Sequence, residues 1–522
     1  MSYNSFAYLF LFLGAVWLLW AVLPRRMRPG VLLAASLFFY WATARRYIVY
    51  LLVLAAVAWV VGRQLGRLDA LYAETGPDLP APKRKALKKK VAVLRGSTLA
   101  AGTAVLLGAL LWLKYLPFAA KSWAALSARI SWIPTFTVPA YVQPLGISFF
   151  TLMGISYLVD VSHGTVPAAP RYWQVLSYLC FWPHVVEGPF DRAGALLPAL
   201  TQPGTPSYDG FRFGIQRIVW GMFKKVVIAD RANMYVKAVF DDWTQYSGAA
   251  VVVGTLLYTL QLYAEFSGCM DIVLGSAELF NIPLAENFRQ PFFSRSIGEF
   301  WRRWHITLGA WLREYVFQPL VVSKPLMRFG KFCRTRFGAE AGRRWPVWLS
   351  LGVTWALIGL WHGAGWIYLV YGLYYFGLQF LGEACEPALV RLLPALPRWR
   401  QTRAWRLFQM LRTFVLVNFG MLLFRANGVR AALDMLRSLP VRYQGSLLIK
   451  LDARDMAVLV VGAVLLLAVD LLHERGHHLR RELAARPLPL RWAVYIGGVL
   501  AVMIFGAYGD NYDPAAFIYA QF

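Results

Sequence analysis

Apolar runs close to the ~20 residues that cross a bilayer as a helix follow one another along almost the whole chain, and short basic blocks separate them. Hydrocarbon offers no partner to backbone N–H and C=O groups, so a chain built of such runs must satisfy them internally, as helices do. Only 16% of the 522 residues are charged and 58% are hydrophobic, whereas soluble domains carry about 25% charge. The expected fold class is all-α, a polytopic integral membrane protein. A net charge of +27 would suit nucleic acid if it were clustered on one face. Here it sits in blocks between apolar runs, such as Arg25-Arg26-Met27-Arg28 and Lys83-Arg84-Lys85-Ala86-Leu87-Lys88-Lys89-Lys90. That pattern fits the positive-inside rule and contact with anionic membrane lipids, and no nucleic-acid partner is expected.

The first run, Phe6 to Leu23, ends in Pro24-Arg25-Arg26 and reads as a retained helix, not a cleaved signal peptide. Gly30–Ala42 and Tyr47–Val61 predict a hairpin about Arg45-Arg46, and Leu99–Tyr115 a fourth span. A cytoplasmic Arg63–Arg95 segment then places the N-terminus outside. A connection near Pro134 and Pro139 leads to a fifth span, Pro144–Val159. Trp173–Val186 is short and holds Pro183 and His184, with Glu187 next, as a re-entrant segment lining protein or water would. Phe211–Phe240 mixes apolar residues with cations that include Arg212, Arg217, Lys224, Lys225 and Arg231, and predicts an interfacial segment. Asn287–Tyr315 is the least lipid-like central stretch, expected as short helices within the bundle or at the cytoplasmic surface. Spans at Pro346–Trp361, Trp366–Leu381, Leu407–Phe424, Met456–Leu472 and Trp492–Ala507 bring the total to about ten to twelve crossings.

Two of the chain's seven histidines stand beside tryptophan in apolar surroundings, in Phe300-Trp-Arg-Arg-Trp-His305 and Leu360-Trp-His362-Gly. Ionisable groups at membrane depth are costly and face a partner or a polar cavity, and imidazole is suited to exchange a proton near neutral pH. His362 and His305 are therefore the catalytic candidates, weighed against a helix-end histidine bonded to a carbonyl and an amphipathic surface helix, respectively. Glu299 to His305 predicts a helix on which Glu299 and Arg303 pair four apart. Arg302, Arg303 and Arg313 could hold donor phosphates, or lipid heads. Trp304 and Trp361 flank the histidines. Glu265, Asp271, Glu286 and Asn287 are polar interruptions that line a cavity or form internal salt bridges.

Four scattered cysteines, Cys180, Cys269, Cys333 and Cys385, make neither a zinc cluster nor a disulfide framework. His473-Glu-Arg-Gly-His477 matches the His-Glu-x-x-His zinc signature, so an intramembrane metalloprotease is an alternative, but Gly476 weakens the helix that signature needs. Asp510 or Asp513 would have to supply the third ligand. A non-enzymatic transporter or flippase is a further alternative. P-loop, Gly-x-Ser-x-Gly and Gly-x-Gly-x-x-Gly patterns are missing from the sequence.

The histidine segments resemble those of the membrane-bound O-acyltransferase (MBOAT) family, in its bacterial polysaccharide-modifying branch. The likeness also runs through Pro144-Leu-Gly-Ile-Ser-Phe-Phe, Phe181-Trp-Pro-His-Val-Val-Glu-Gly-Pro189, Asp271-Ile-Val-Leu-Gly275, Glu286-Asn-Phe-Arg-Gln-Pro291, Trp311-Leu-Arg-Glu-Tyr315, Phe424-Arg-Ala426 and the ending Phe517–Phe522. Gly188-Pro-Phe-Asp-Arg192 and Phe293-Ser-Arg-Ser296 look more like members that transfer D-alanine to teichoic acid than like those of alginate acetylation. The resemblance implies a bundle of about eleven transmembrane helices with re-entrant or interfacial helices and a central tunnel. It implies one MBOAT domain over 1–522, with N-terminal helices at 1–143, a catalytic core at 144–382 and C-terminal helices at 383–522. It maps the family's buried catalytic histidine onto His362 and the second motif histidine onto His305, which would orient substrate or donate to an oxyanion. The implied activity moves an acyl group, acetyl first and D-alanyl as the alternative, across the bacterial cytoplasmic (inner) membrane to an exported polysaccharide. The donor would be a substrate, acetyl-CoA or an acyl carrier-protein thioester, with no bound cofactor or metal. An extracytoplasmic acyltransferase would be a partner.

Overall fold

The structure, a computed structural model, describes residues 1–130, 143–392, 396–440 and 447–508, with positions 132, 134, 138 and 394 besides. Pro139, Asp510, Asp513 and the Phe517–Phe522 ending lie outside the described residues. Among the described residues every extended regular element is a helix, joined by turns and loops, and the β pairing is an isolated antiparallel bridge between Phe288 and Trp304.

By length and composition, six helical stretches among the described residues can cross a membrane: Arg25–Thr75, Ala81–Ser127, Gly248–Glu278, Arg403–Arg425, Ala453–Glu474 and Leu488–Phe505. Ala7–Val22 and Ile147–His163 are shorter apolar helices. The first long stretch is broken at Arg45, whose φ of +47° ends the helix Arg28–Ala44, so the predicted pair of spans is present as two helices. Gly248–Glu278 has 67% of its apolar window buried and Leu488–Phe505 only 6%. The first is therefore a helix enclosed by protein, and the second offers most of its apolar surface outward, as lipid contact requires.

The described chain forms two compact units, Met1–Ile215 with Val273–Ala285, and Gln216–Ile272 with Glu286–Phe522. In the first, Tyr8 and Trp20 of the opening helix are buried, and Trp20 meets Phe280 edge-on at 5.3 Å. The predicted irregular segment is present. The helix Tyr172–Cys180 stops before Pro183, and buried His184, Glu187 and Asp191 follow on non-helical backbone. His184 Nε2 lies 2.9 Å from the Tyr178 carbonyl, and the Asp191 carboxyl accepts the Ala285 N–H at 2.9 Å. Burial pushes the His184 imidazole down to about 3 and the Asp191 carboxyl up to about 7. His184 is thus a neutral, carbonyl-bonded core residue.

Phe211–Phe240, which lies in the second unit from Gln216 onward, departs from the interfacial expectation. It folds as Tyr208–Met222, a π-helical stretch Phe223–Ala229 and Asp230–Asp241, with Lys224 and Lys225 buried. Helix Gly248–Glu278 approaches it where Gly221 and Gly268 meet. A Cβ on Gly221 would sit 2.5 Å from the Gly268 carbonyl, and one on Gly268 would sit 2.8 Å from that of Gly221. This close approach lets adjacent lysines reach acidic partners on the facing helix. Lys225 Nζ pairs with Glu265 at 2.7 Å and Asp230 at 2.8 Å, while Lys224 Nζ pairs with Asp271 at 2.6 Å. Buried charges survive only when paired in this way.

Candidate active site

Helix Ile297–Arg303 starts where Ser296 accepts the Glu299 N–H at 3.1 Å and Glu299 takes the Arg295 N–H at 2.9 Å, a reciprocal pairing of orphan donors. Glu299 also pairs with Arg303 at 2.8 Å, as the four-residue spacing predicts. The expected continuation to His305 does not occur. Trp304 is extended and bridged to Phe288, the Arg289 N–H donates to the Arg303 carbonyl at 2.9 Å, and His305 takes a left-handed conformation at φ +47°, ψ +52°. A second short helix, Ile306–Leu312, starts from it. The chain breaks here because Asn287 supplies alternative acceptors. Its carbonyl takes the Ile306 N–H at 3.0 Å, and its side-chain oxygen takes the Thr307 N–H at 3.1 Å and the Thr307 hydroxyl at 2.7 Å.

His305 is 2% exposed and Trp304 3%, which rules out the amphipathic surface helix. Phe266 stands edge-on to the His305 ring at 4.8 Å and Trp361 lies 5.4 Å from it. Neither short helix is among the six membrane-length stretches. Burial, with His362 close enough to add to it, holds the His305 imidazole well below its ordinary value and hence neutral.

His362 ends helix Ala339–His362 and is 3% exposed. Its ring packs against Trp361, Phe424 and Tyr371 at 4.9, 5.2 and 5.9 Å. The small residues around it serve backbone packing. A Cβ on Gly359 would collide with the Tyr368 carbonyl, one on Gly372 with that of Trp355, and one on Gly363 with the Tyr368 ring. Helices Ala339–His362 and Trp366–Leu392 therefore touch through glycine, and His362 is set at the end of that contact. Trp361 touches both imidazoles, so the structure brings His305, Trp361, His362 and Asn287 into one buried cluster.

The other sequence candidates divide. Arg302 and Arg313 are exposed. Arg303 is half-buried and held by Glu299 and by both carboxylate oxygens of Glu474, at 2.6 and 3.2 Å. Glu265 is taken up by Lys225, Asp271 by Lys224 and Arg217 (2.9 Å), and Glu286 by Arg217 at 2.5 Å. Salt bridging, to lysine as well as arginine, accounts for these interruptions. Sequence reasoning missed Thr307, Phe266, Tyr371 and Phe424. Thr307 sits two residues past the histidine and Phe424 opens a block that carries the family likeness; Phe266 and Tyr371 are apolar or aromatic positions with no local signal.

The zinc signature dissolves. Helix Ala453–Glu474 ends at its glutamate, Gly476 has φ +91°, Glu474 is bound to Arg303, and His477 Nδ1 lies 3.2 Å from Glu482. No group of three metal-capable side chains occurs among the described residues. None of the four cysteines forms a disulfide, and Cys385 is exposed.

Comparison with known proteins adds the following. The sequence model of the membrane-bound O-acyltransferase family matches residues 132–335, a range that includes His305 and stops before His362. The chain is similar to the "Probable alginate O-acetylase" of Pseudomonas aeruginosa, 31% identical over 83% of this chain and 74% of that one. It is also similar to the peptidoglycan O-acetyltransferase of Helicobacter pylori, at 28% identity over 60% and 59% of the two chains. The teichoic acid D-alanyltransferase of Bacillus subtilis matches at 26% over 59% and 74%.

Proposed function

Because this chain belongs to the membrane-bound O-acyltransferase family and is a multi-pass membrane O-acyltransferase, we propose that it moves an acetyl group across the membrane, by way of His362 and His305, for O-acetylation of a cell-surface or exported polysaccharide. The observation that carries the reading is the buried pair of imidazoles on Trp361, in a unit whose other buried charges are largely engaged with one another. Acetyl is favoured as the acyl group because the Pseudomonas aeruginosa relative named for O-acetylation aligns over 83% of this chain at 31% identity, against 59% at 26% for the Bacillus subtilis D-alanyltransferase.

In this reading the donor is a thioester reached from the cytoplasm, acetyl-CoA or a carrier-protein thioester. His362 takes the proton of the acceptor hydroxyl while its oxygen bonds to the acyl carbon. The carbon–sulfur bond then breaks, and the proton passes to the leaving thiolate. Trp361, Tyr371 and Phe424 exclude water, which would otherwise hydrolyse the thioester. In this reading Arg302 and Arg313, which are exposed, meet the donor phosphates, whereas Arg303 is engaged with Glu474 and Glu299. A separate extracytoplasmic transferase completes delivery to the polymer, and the protein works in the bacterial cytoplasmic membrane.

The test is the ester content of the cell's exported polysaccharides with the intact protein, a deletion and His362→Ala at matched membrane levels. One ester, acetyl, disappears in both the deletion and the variant. Full acetylation by a well-folded His362→Ala protein would sink the assignment, and loss of a D-alanyl ester instead would replace the acyl group.

A further inference from the structure

The Asn287 side chain carries more than a turn. Its oxygen is identified by chemistry, because a backbone N–H can only donate and the atom facing the Thr307 N–H at 3.1 Å must therefore be the carbonyl oxygen. The amide nitrogen is thereby turned to Met270, 3.1 Å from its sulfur, a weak acceptor. The same Asn287 oxygen lies 3.4 Å from His305 Nδ1. An oxygen that already accepts two donors meets a ring nitrogen favourably only if that nitrogen carries the hydrogen; two lone pairs would repel. In a neutral imidazole the hydrogen on Nδ1 leaves Nε2 as the lone-pair nitrogen.

We propose that Asn287 is a positioning residue that fixes His305 with its hydrogen on Nδ1, so that His305 meets substrate through the lone pair of Nε2. His305 then accepts a hydrogen bond from substrate and does not donate one to the developing oxyanion, while the proton of the acceptor hydroxyl goes to His362. This rests on the acyl-transfer reading above and reverses one of the two roles the sequence suggested for His305. The backbone supports it. His305 is a non-glycine residue at φ +47°, a conformation that persists only where its surroundings impose it. The Asn287 carbonyl imposes it through the Ile306 N–H, so one residue sets both the ring's direction and its tautomer. Charged groups on the packed elements are engaged elsewhere. Glu265 and Asp271, on the helix of Phe266, are held by Lys225 and by Lys224 with Arg217. Arg303 is held by Glu474 and Glu299. His362 is the titratable neighbour acting on the ring.

The test uses full-length protein in lipid nanodiscs with ¹⁵N-labelled histidine, the His305 signals being identified by their loss in His305→Gln. Ring nitrogen shifts and two-bond couplings should show hydrogen on Nδ1 in the intact protein and lose that preference in Asn287→Leu. Hydrogen on Nε2 in the intact protein, or an unchanged tautomer in Asn287→Leu, overturns the proposal. Kinetics give a second arm. Asn287→Leu should lower kcat on the order of 100-fold with KM changed by no more than about twofold. Asn287→Asp, which keeps the acceptor, should restore most of the rate and move the acid limb of the kcat profile upward, since a carboxylate favours the imidazolium. An Asp variant as slow as the Leu variant, with no shift of that limb, also overturns it. Failure of the acyl-transfer reading would show separately, as activity retained in His362→Ala, and the spectroscopic arm would still decide the tautomer.

Discussion

At the scale of single residues, the two histidines were legible in the sequence because rarity and cost coincide: an ionisable ring beside tryptophan in apolar sequence needs a reason. Their setting was not legible. Asn287 stands 18 positions before His305, joined to it by a bridge and a left-handed turn that leave no periodic trace. Gly359 carries no sign in the sequence that its missing Cβ makes room for the Tyr368 backbone. Gly359→Ala should therefore drive the helix apart from Tyr368 and destabilise the protein by about 1–3 kcal/mol, the usual cost of overpacking. Gly377→Ala, on the same helix pair with open space around its Cβ position, should be near neutral. Thermal unfolding of the two variants in one detergent checks the difference, and equal melting would contradict the packing argument.

At the scale of elements, apolar run length found the cores of the long helices but not their ends, which run on past the apolar stretch to Thr75 and back to Ala81, and the Asn287–Tyr315 stretch was anticipated as short helices. The element misread was Phe211–Phe240. Cations every few residues suggested an interface, but Lys224 and Lys225 are buried against acids 40 to 47 positions later. Glu265 and Asp271 already signalled that cations must come from somewhere; only the fold says from where. Lys225→Met removes the cation shared by Glu265 and Asp230 and leaves buried carboxylates without it. We expect a loss of about 3–5 kcal/mol, read as a lower melting temperature or collapse of the folded yield. A variant as stable as the parent would mean that this pair is solvated.

At the scale of the whole molecule, hydropathy and charge placement were enough to identify a multi-pass membrane protein, since lipid imposes its demands on every run alike. Orientation follows from the basic blocks. Lys83, Arg84, Lys85, Lys88, Lys89 and Lys90 are exposed at the start of helix Ala81–Leu110, and the positive-inside rule puts them in the cytoplasm. Asp78→Cys, in the turn before that helix, should react with a membrane-impermeant thiol reagent only after the cells are opened. Comparison is against the protein with its exposed thiol removed as Cys385→Ser, and labelling of intact cells would invert the topology.

One contact joins these scales. Glu474, the last residue of the membrane-length helix Ala453–Glu474, grips Arg303, two positions before His305. A helix that tilts to match its bilayer carries its end with it. The thickness of the surrounding lipid is thus a mechanical boundary condition on His305, transmitted through one pair of carboxylate oxygens.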